Sequence, residues 1–169
     1  SQYACWIEPA IFNEWIRLMQ SWRHQYDNAV YANVFDWIDA DRDTAGVRAR
    51  IGALSASGNP VSCVWTSRKL KLDNYAVDHC FPWSRWFNND LWNLMPSTSA
   101  ANNSKADKLP SAALLKDSRS NILHWWEAAY LDDDKLSQQF FIEAEAALPL
   151  LGPDSRSVED MFHAMEFQR

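Results

Sequence analysis

The chain has 169 residues, 47% of them hydrophobic and 22% charged, with a net charge of −6. That composition supports one buried core, with or without an appendage, and excludes a disordered tail. No apolar run approaches a membrane span, and the N-terminal "SQYACWIEPA" lacks the charged segment, apolar run and cleavage site of a secretory leader, so a soluble intracellular protein is expected.

Taken in chain order, Ile11, Phe12, Trp15, Ile16, Met19 and Trp22 recur at helical spacing between Pro9 and Arg23, and Pro9 suits a first helical turn. Tyr31, Val34, Phe35 and Ile38 repeat that pattern more briefly. "DADRDTAGVRARIGAL" reads as a polar turn entering a short basic helix, closed by Gly58, Asn59 and Pro60. From Val61 the period changes to two. Val61, Cys63 and Trp65 alternate with polar neighbours or Val64, as do Tyr75 and Val77 with theirs, which predicts two strands joined by "SRKLKLDN". After Pro82 no period holds for about fifteen residues. "STSAANNSKADKL" then predicts a short helix begun by Ser97 or Ser99.

The C-terminal third predicts three helical stripes: Ile122, Trp126, Ala129 and Tyr130; then Leu136, Phe140, Phe141, Ala144 and Leu148; then Val158, Met161, Phe162 and Met165, with Ser157 and Asp160 as a capping pair. The acids at positions 132–134 suit a helix N-terminus, where negative charge is favoured. The last stripe runs to Arg169 without a stop signal, and a longer parent protein is therefore expected. Three divisions follow: a helical flank over 1–60, a mixed core over 61–111 and a second helical flank over 112–169. Cys5, Cys63 and Cys80 are odd in number and show no CxxC spacing, which points to buried thiols rather than a disulfide framework or zinc knuckle.

Charge is unevenly spread. Residues 62–120 carry eight Lys and Arg against five Asp, a local balance of +3, and the rest of the chain stands at −9. The same segment holds "YAVDHCFPWSRWFNNDLWNLMPSTSAANNSKADKLPS", dense in ligand-type side chains. Neighbouring Asp78 and His79 point to opposite faces of a strand and reach one site only where the strand ends, as Pro82 requires. His79 titrates near neutrality and can take a proton from water, and Asp78 offers hard oxygen to a divalent cation. By itself the pair reads more readily as a structural histidine bonded to its neighbours.

Asn93 follows His79 by 14 residues, and Asn102 opens an N-x-x-K pattern ending at Lys105. With "DH..P", "NL.P" and "N..K.D.LP", residues Val64 to Pro110 resemble the HNH family of metal-dependent nucleases. The tail "NNSKADKLPS" is most similar to the branch of RNA-guided CRISPR effectors and certain restriction enzymes. The resemblance implies an α+β fold: a ββα-metal hairpin-plus-helix core within a mostly α-helical domain. It implies Asp78 and Asn102 as ligands of one Mg²⁺ (or Mn²⁺), with Asn103 as a possible substitute, His79 as general base and Asn93 as the residue that fixes the histidine through loop backbone. It further implies phosphodiester hydrolysis in DNA, by nicking or double-strand cleavage, in a bacterial or archaeal cytoplasm and a defence setting of CRISPR or restriction type. A catalytically inactive nucleic-acid-binding module with a degenerate HNH fold is the alternative.

Two departures are visible. Many members carry His where Asn102 stands, and an amide oxygen favours a hard ion over softer metals. No cysteine pairs brace the motif, so no structural zinc is expected and Trp83, Trp86 and Trp92 are expected to pack the loop. Arg85, Lys105, Arg68 and Lys69 are candidates for phosphate contact. His24, His124 and His163 are read as structural. The small cationic footprint predicts weak non-specific binding and a module tethered to another domain, subunit or guide complex.

Overall fold

The computed structural model describes residues 14, 17, 18, 41–152 and 155–169. The chain divides into one unit over Ser1–Asp39 and a second over Ala40–Arg169. In the first, Glu14, Arg17 and Leu18 are helical. The remainder of the expected Pro9–Arg23 helix, and the Tyr31–Ile38 pattern, lie outside the described residues, as do Cys5 and His24.

The second unit begins with α1 (Ala45–Ala56), the basic helix anticipated after the polar turn. Val47, Ile51 and Leu54 form its buried stripe, and Gly58 ends it at φ 84°, a conformation that costs glycine no steric clash. Arg50 reaches from α1 to the carbonyls of Ala128 and Ala129. Those carbonyls belong to a π-helical turn, Glu127–Leu131, in which wide i→i+5 spacing leaves acceptors exposed to such a donor.

Strand pairing differs from the sequence expectation. Val61–Thr66 does not pair with Tyr75–Asp78. The polar connection folds back at once through Ser67, at φ 58°, so that Cys63 N donates to Arg68 O (2.8 Å) and Leu70 N to Val61 O (2.9 Å). Cys63 and Val64 are consecutive and both fully buried, so their apparent alternation does not mark two strand faces. The true hairpin joins β1 (Ala76–His79) to β2 (Leu94–Ser97) antiparallel, with Asp78 opposite Met95 and His79 opposite Leu94. All four residues of β2 are buried, which erases the period-two signal, and Pro96 is tolerated because each strand of a two-stranded sheet is an edge. A short 3₁₀ turn, Leu91–Asn93, leads into β2.

Helix α2 (Ser99–Lys105) follows directly. Its cap is Thr98, whose Oγ1 accepts from Ala101 N at 3.3 Å, and not Ser97 or Ser99. Ser97 is held in the sheet opposite Ala76 and donates its hydroxyl to Thr98 O, while Ser99 already lies inside the helix.

The helices expected in the last third form as α3 (Ala112–Trp126), α4 (Asp134–Ala147) and α5 (Val158–Gln168). Asp133 caps α4 by accepting from Lys135 N and Leu136 N, and Ser157 caps α5 by accepting from Asp160 N. Trp126 meets Phe140 and Phe162 edge-on or tilted, joining all three helices in one aromatic core. Trp125 Nε1 donates to Leu94 O (3.1 Å), Asn121 Nδ2 to Val64 O (3.0 Å), and Leu91 N to Glu143 Oε2 (2.7 Å). These bonds seat the hairpin and its loop on the helical layer. Among the described residues no helix is long and apolar enough to cross a membrane.

Candidate active site

β1 ends at His79, as the Asp-His-Pro pattern requires, and the chain turns away at Pro82. Asp78 and His79 are both buried, yet both line a cleft of about 620 Å³ together with Asn102, Asn103, Trp83, Arg42 and Arg48. The strand end, the loop after it, α2 and the approach to α1 thus meet at one place.

Asp78 is held from two sides. Trp65 Nε1 donates to Oδ2 (2.8 Å) and Lys105 Nζ to Oδ1 (3.1 Å). Each carboxylate oxygen therefore keeps a lone pair for a further partner. Burial pushes the Asp78 carboxyl up from its ordinary range, against the pull of the Lys105 ammonium and the hydrogen bonds from Lys105, Trp65 and the His79 backbone.

Lys105 is placed differently from the solvent-facing phosphate contact expected of it. It is 8% exposed, and its ammonium donates to Asp78 Oδ1 and, at 2.7 Å, to His79 O. Asn102 and Lys105 stand one helical turn apart, so the turn that brings Asn102 to the cleft drives the lysine stem inward. The other expected contacts are exposed: Arg85 donates to Asp107 O at the cleft rim (3.2 Å), while Arg68 and Lys69 sit on the Ser67 turn and do not line the cleft. His124 and His163 are exposed on α3 and α5, away from the cleft lining.

Asn93 is fully buried, and among the described residues its side chain hydrogen-bonds only to loop backbone. Its Oδ1 accepts from Phe81 N (2.7 Å), and its Nδ2 donates to Phe81 O and Asn88 O. The amide thus ties both ends of the loop that leaves His79. Aromatic packing fills that loop: Trp86 stacks on Phe81, and Trp92 meets both. Trp83 stands apart from this cluster, edge-on to the His79 ring at 5.3 Å.

Sequence reasoning missed Asn89, Arg42 and Arg48. Asn89 Oδ1 receives Asp43 N (3.1 Å) and its Nδ2 donates to Asp41 O (2.9 Å), which fixes which way the amide points. His79 Nε2 lies 3.3 Å from the same Oδ1. An acceptor there assigns the proton to Nε2 and leaves Nδ1 with the free lone pair. Nothing periodic marks these residues, although "NND" two residues before "WN" is a turn signal of the kind that carries side-chain-to-backbone bonds.

Asn102 is half-buried and Asn103 exposed, and among the described residues neither amide has a hydrogen-bond partner. An unpartnered amide lining the same cleft as a carboxylate with spare lone pairs is a donor set suited to a hard cation. Among the described residues no three His, Cys, Asp or Glu side chains converge, so an ion here would complete its shell with water and substrate oxygen.

Residues 63–111 match the model of the HNH endonuclease family. The match supports nuclease activity, and so a nucleic acid as substrate. It takes in Asp78, His79, Asn93, Asn102 and Lys105, and it leaves Arg42, Arg48 and helices α3 to α5 outside. The α+β arrangement around the HNH segment is consistent with that family. No curated protein matches the chain.

Two outcomes follow from the geometry. Burial lowers the His79 pKa, aided by the Arg42 and Lys105 cations and only partly opposed by Asn89. In the metal-free protein the His79 ring should therefore titrate below the ordinary value of about 6.5, remain neutral at pH 7 and withdraw stability as pH falls from the ordinary value through the lowered one. An NMR titration of its ring protons checks this, and a midpoint above that value would contradict it. Lys105→Met keeps the buried stem but strands the Asp78 charge, and should cost about 3–5 kcal/mol of stability, read by denaturant unfolding; a loss below about 1 kcal/mol would mean that the pair is solvated.

Proposed function

We propose that this chain is a metal-dependent HNH endonuclease that hydrolyses phosphodiester bonds in DNA, with a ββα-metal core formed by β1, β2 and α2. The observation that carries this reading is the convergence of Asp78, His79 and the unpartnered amides of Asn102 and Asn103 on one cleft, with Asn93 bracing the loop between them.

Asp78 and Asn102 would hold one Mg²⁺ or Mn²⁺ through a carboxylate and an amide oxygen. When bound, the ion supplies Lewis-acid stabilisation of charge on the scissile phosphate and the leaving 3′ oxygen. His79 Nδ1 takes a proton from the attacking water as its oxygen bonds to phosphorus, and the bond from phosphorus to the 3′ oxygen breaks, with that oxygen gaining a proton from solvent. Asn89 holds the histidine in the tautomer with Nδ1 free. Lys105 keeps the buried Asp78 ionised and aimed, and Asn93 holds the turn that places both. Asn93 is thus a positioning residue in the reaction.

A defence setting, of CRISPR or restriction type, and delivery by a tethering domain, subunit or guide complex belong to the same proposal. The support for delivery is electrostatic, and that for the setting is the resemblance of the "NNSKADKLPS" tail. A chain of net charge −6 has few cations to hold a phosphate backbone, and such binding weakens steeply with salt.

His79→Ala should lower cleavage by about 10²- to 10⁴-fold while lowering the midpoint of the cooperative unfolding transition without abolishing it, since the ring is buried against Trp83. Chelation should abolish wild-type activity, with Mg²⁺ or Mn²⁺ restoring it. Plasmid nicking reads both. Undiminished nicking by folded His79→Ala removes the base assignment, and wild-type protein that never nicks with either ion points to the inactive binding module. For tethering, cleavage by the 169-residue chain and by the complete assembly should differ in rate and target choice at physiological salt; equal values would refute delivery.

A further inference from the structure

The cleft wall outside the family-matched segment carries two arginines to which neither the family match nor the reaction assigns a role. Arg42 and Arg48 are both exposed, both line the cleft of Asp78 and His79, and among the described residues neither is paired with a carboxylate. Among arginines elsewhere, Arg50 is engaged with the carbonyls of the π-helical turn, Arg119 with Glu159 and Arg85 with Asp107 O, while Arg68 is exposed on the Ser67 turn and does not line the cleft.

Each of the two guanidiniums is placed over an aromatic ring. Arg42 lies over Trp83 at 5.9 Å and Arg48 over Tyr75 at 5.1 Å, with Arg48 Nε also donating to Thr44 Oγ1 (3.2 Å). Ring contact orients a guanidinium by its face and leaves in-plane N–H groups for an anion. The backbone on either side of Arg42 is anchored as well, because Asn89 binds Asp41 O and Asp43 N. The same amide holds His79, so the arginine and the proposed base are referenced to one group. The acids of the wall do not cancel this charge: Asp78 is neutralised by Lys105, which leaves Asp107 against two cations.

We propose that Arg42 and Arg48 form a phosphate subsite that holds the nucleic-acid backbone next to the scissile phosphate. The subsite rests on the nuclease reading for the position of that phosphate, but binding does not need catalysis. A cleft of about 620 Å³ falls within the range that accepts a ligand larger than one phosphate group. Trp83 then forms part of the floor under the strand, with its ring face already turned to a cation.

The test is fluorescence anisotropy of the 169-residue chain with a short fluorescein-labelled single-stranded DNA, in chelator, across a salt series. Arg42→Ala and Arg48→Ala should each weaken binding and lower the slope of log affinity against log salt by about 0.7, the value for one phosphate contact on a single strand. Arg42→Lys should keep the slope because it keeps the charge. Lys116→Ala, on the exposed face of α3 away from the cleft, should leave slope and affinity unchanged. Wild-type slopes in both alanine variants, or no binding by the wild-type chain at low salt, would overturn the subsite. Metal-dependent nicking alongside unchanged slopes would remove the subsite and keep the nuclease; lowered slopes in a chain that nicks nothing would do the reverse.

Discussion

A buried ammonium holds the centre of this protein together. Lys105 comes from the last turn of α2 and donates to the Asp78 carboxylate and to the His79 carbonyl, so one side chain joins the helix to the end of β1. Both partners of the ion pair have side chains only 5% exposed. Desolvating two charges costs several kcal/mol, and the pair is not by itself a large source of stability. Its consequence is geometric. With Lys105 in place, Asn102, one turn earlier on α2, and Asp78 and His79 at the end of β1 line the same cleft. Removing either charge leaves the other buried without its counter-charge, with only a neutral hydrogen bond from Trp65 or to the His79 carbonyl, so the arrangement is cooperative.

Around that pair the loop from Cys80 to Asp90 has little regular structure, and two kinds of contact make up for it. Asn93 satisfies the backbone of Phe81 and Asn88 from inside, where an unpaired amide would cost about 1–3 kcal/mol. Phe81, Trp86 and Trp92 fill the space with rings in mutual contact. Trp83, by contrast, belongs to the cleft. It meets His79 on its edge and Arg42 across its face, which makes it a wall shared by the proposed base and the proposed phosphate subsite.

Helices α3 and α4 set distances and line no part of the cleft. α3 fixes β2 and the Ser67 turn through Trp125 and Asn121, and α4 fixes the 3₁₀ turn through Glu143. Arg50 ties α1 to the π-helical turn, and α1 in turn carries Arg48 to the cleft. The proposed substrate contacts therefore come from a segment outside the HNH match, and their position depends on the helical layer.

Residue type and spacing alone determined the helical stripes of the last third, the cap at Ser157 and a helix start among the acids at 132–134, because each depends on neighbours within a few turns. Asp78, His79, Asn93 and Asn102 stood out as candidates through a motif of fixed spacing. The strand partner was not legible. Val61–Thr66 alternates and β2 does not, since β2 is buried along its whole length and contains Pro96, and burial on every side removes the period that betrays a half-exposed strand. Nor was the fate of Lys105 legible: a lysine in N-x-x-K reads as a surface cation until the fold places a carboxylate and a carbonyl where its stem ends. Arg42 and Arg48 reach the cleft, and Asn89 reaches the backbone beside Arg42, across long stretches of chain, Asn89 standing 46 positions from Asp43. Such contacts leave no periodic trace, and only the tertiary structure, by bringing α1 and the residues before it to the end of β1, decided that the two arginines share a cleft with Asp78 and His79.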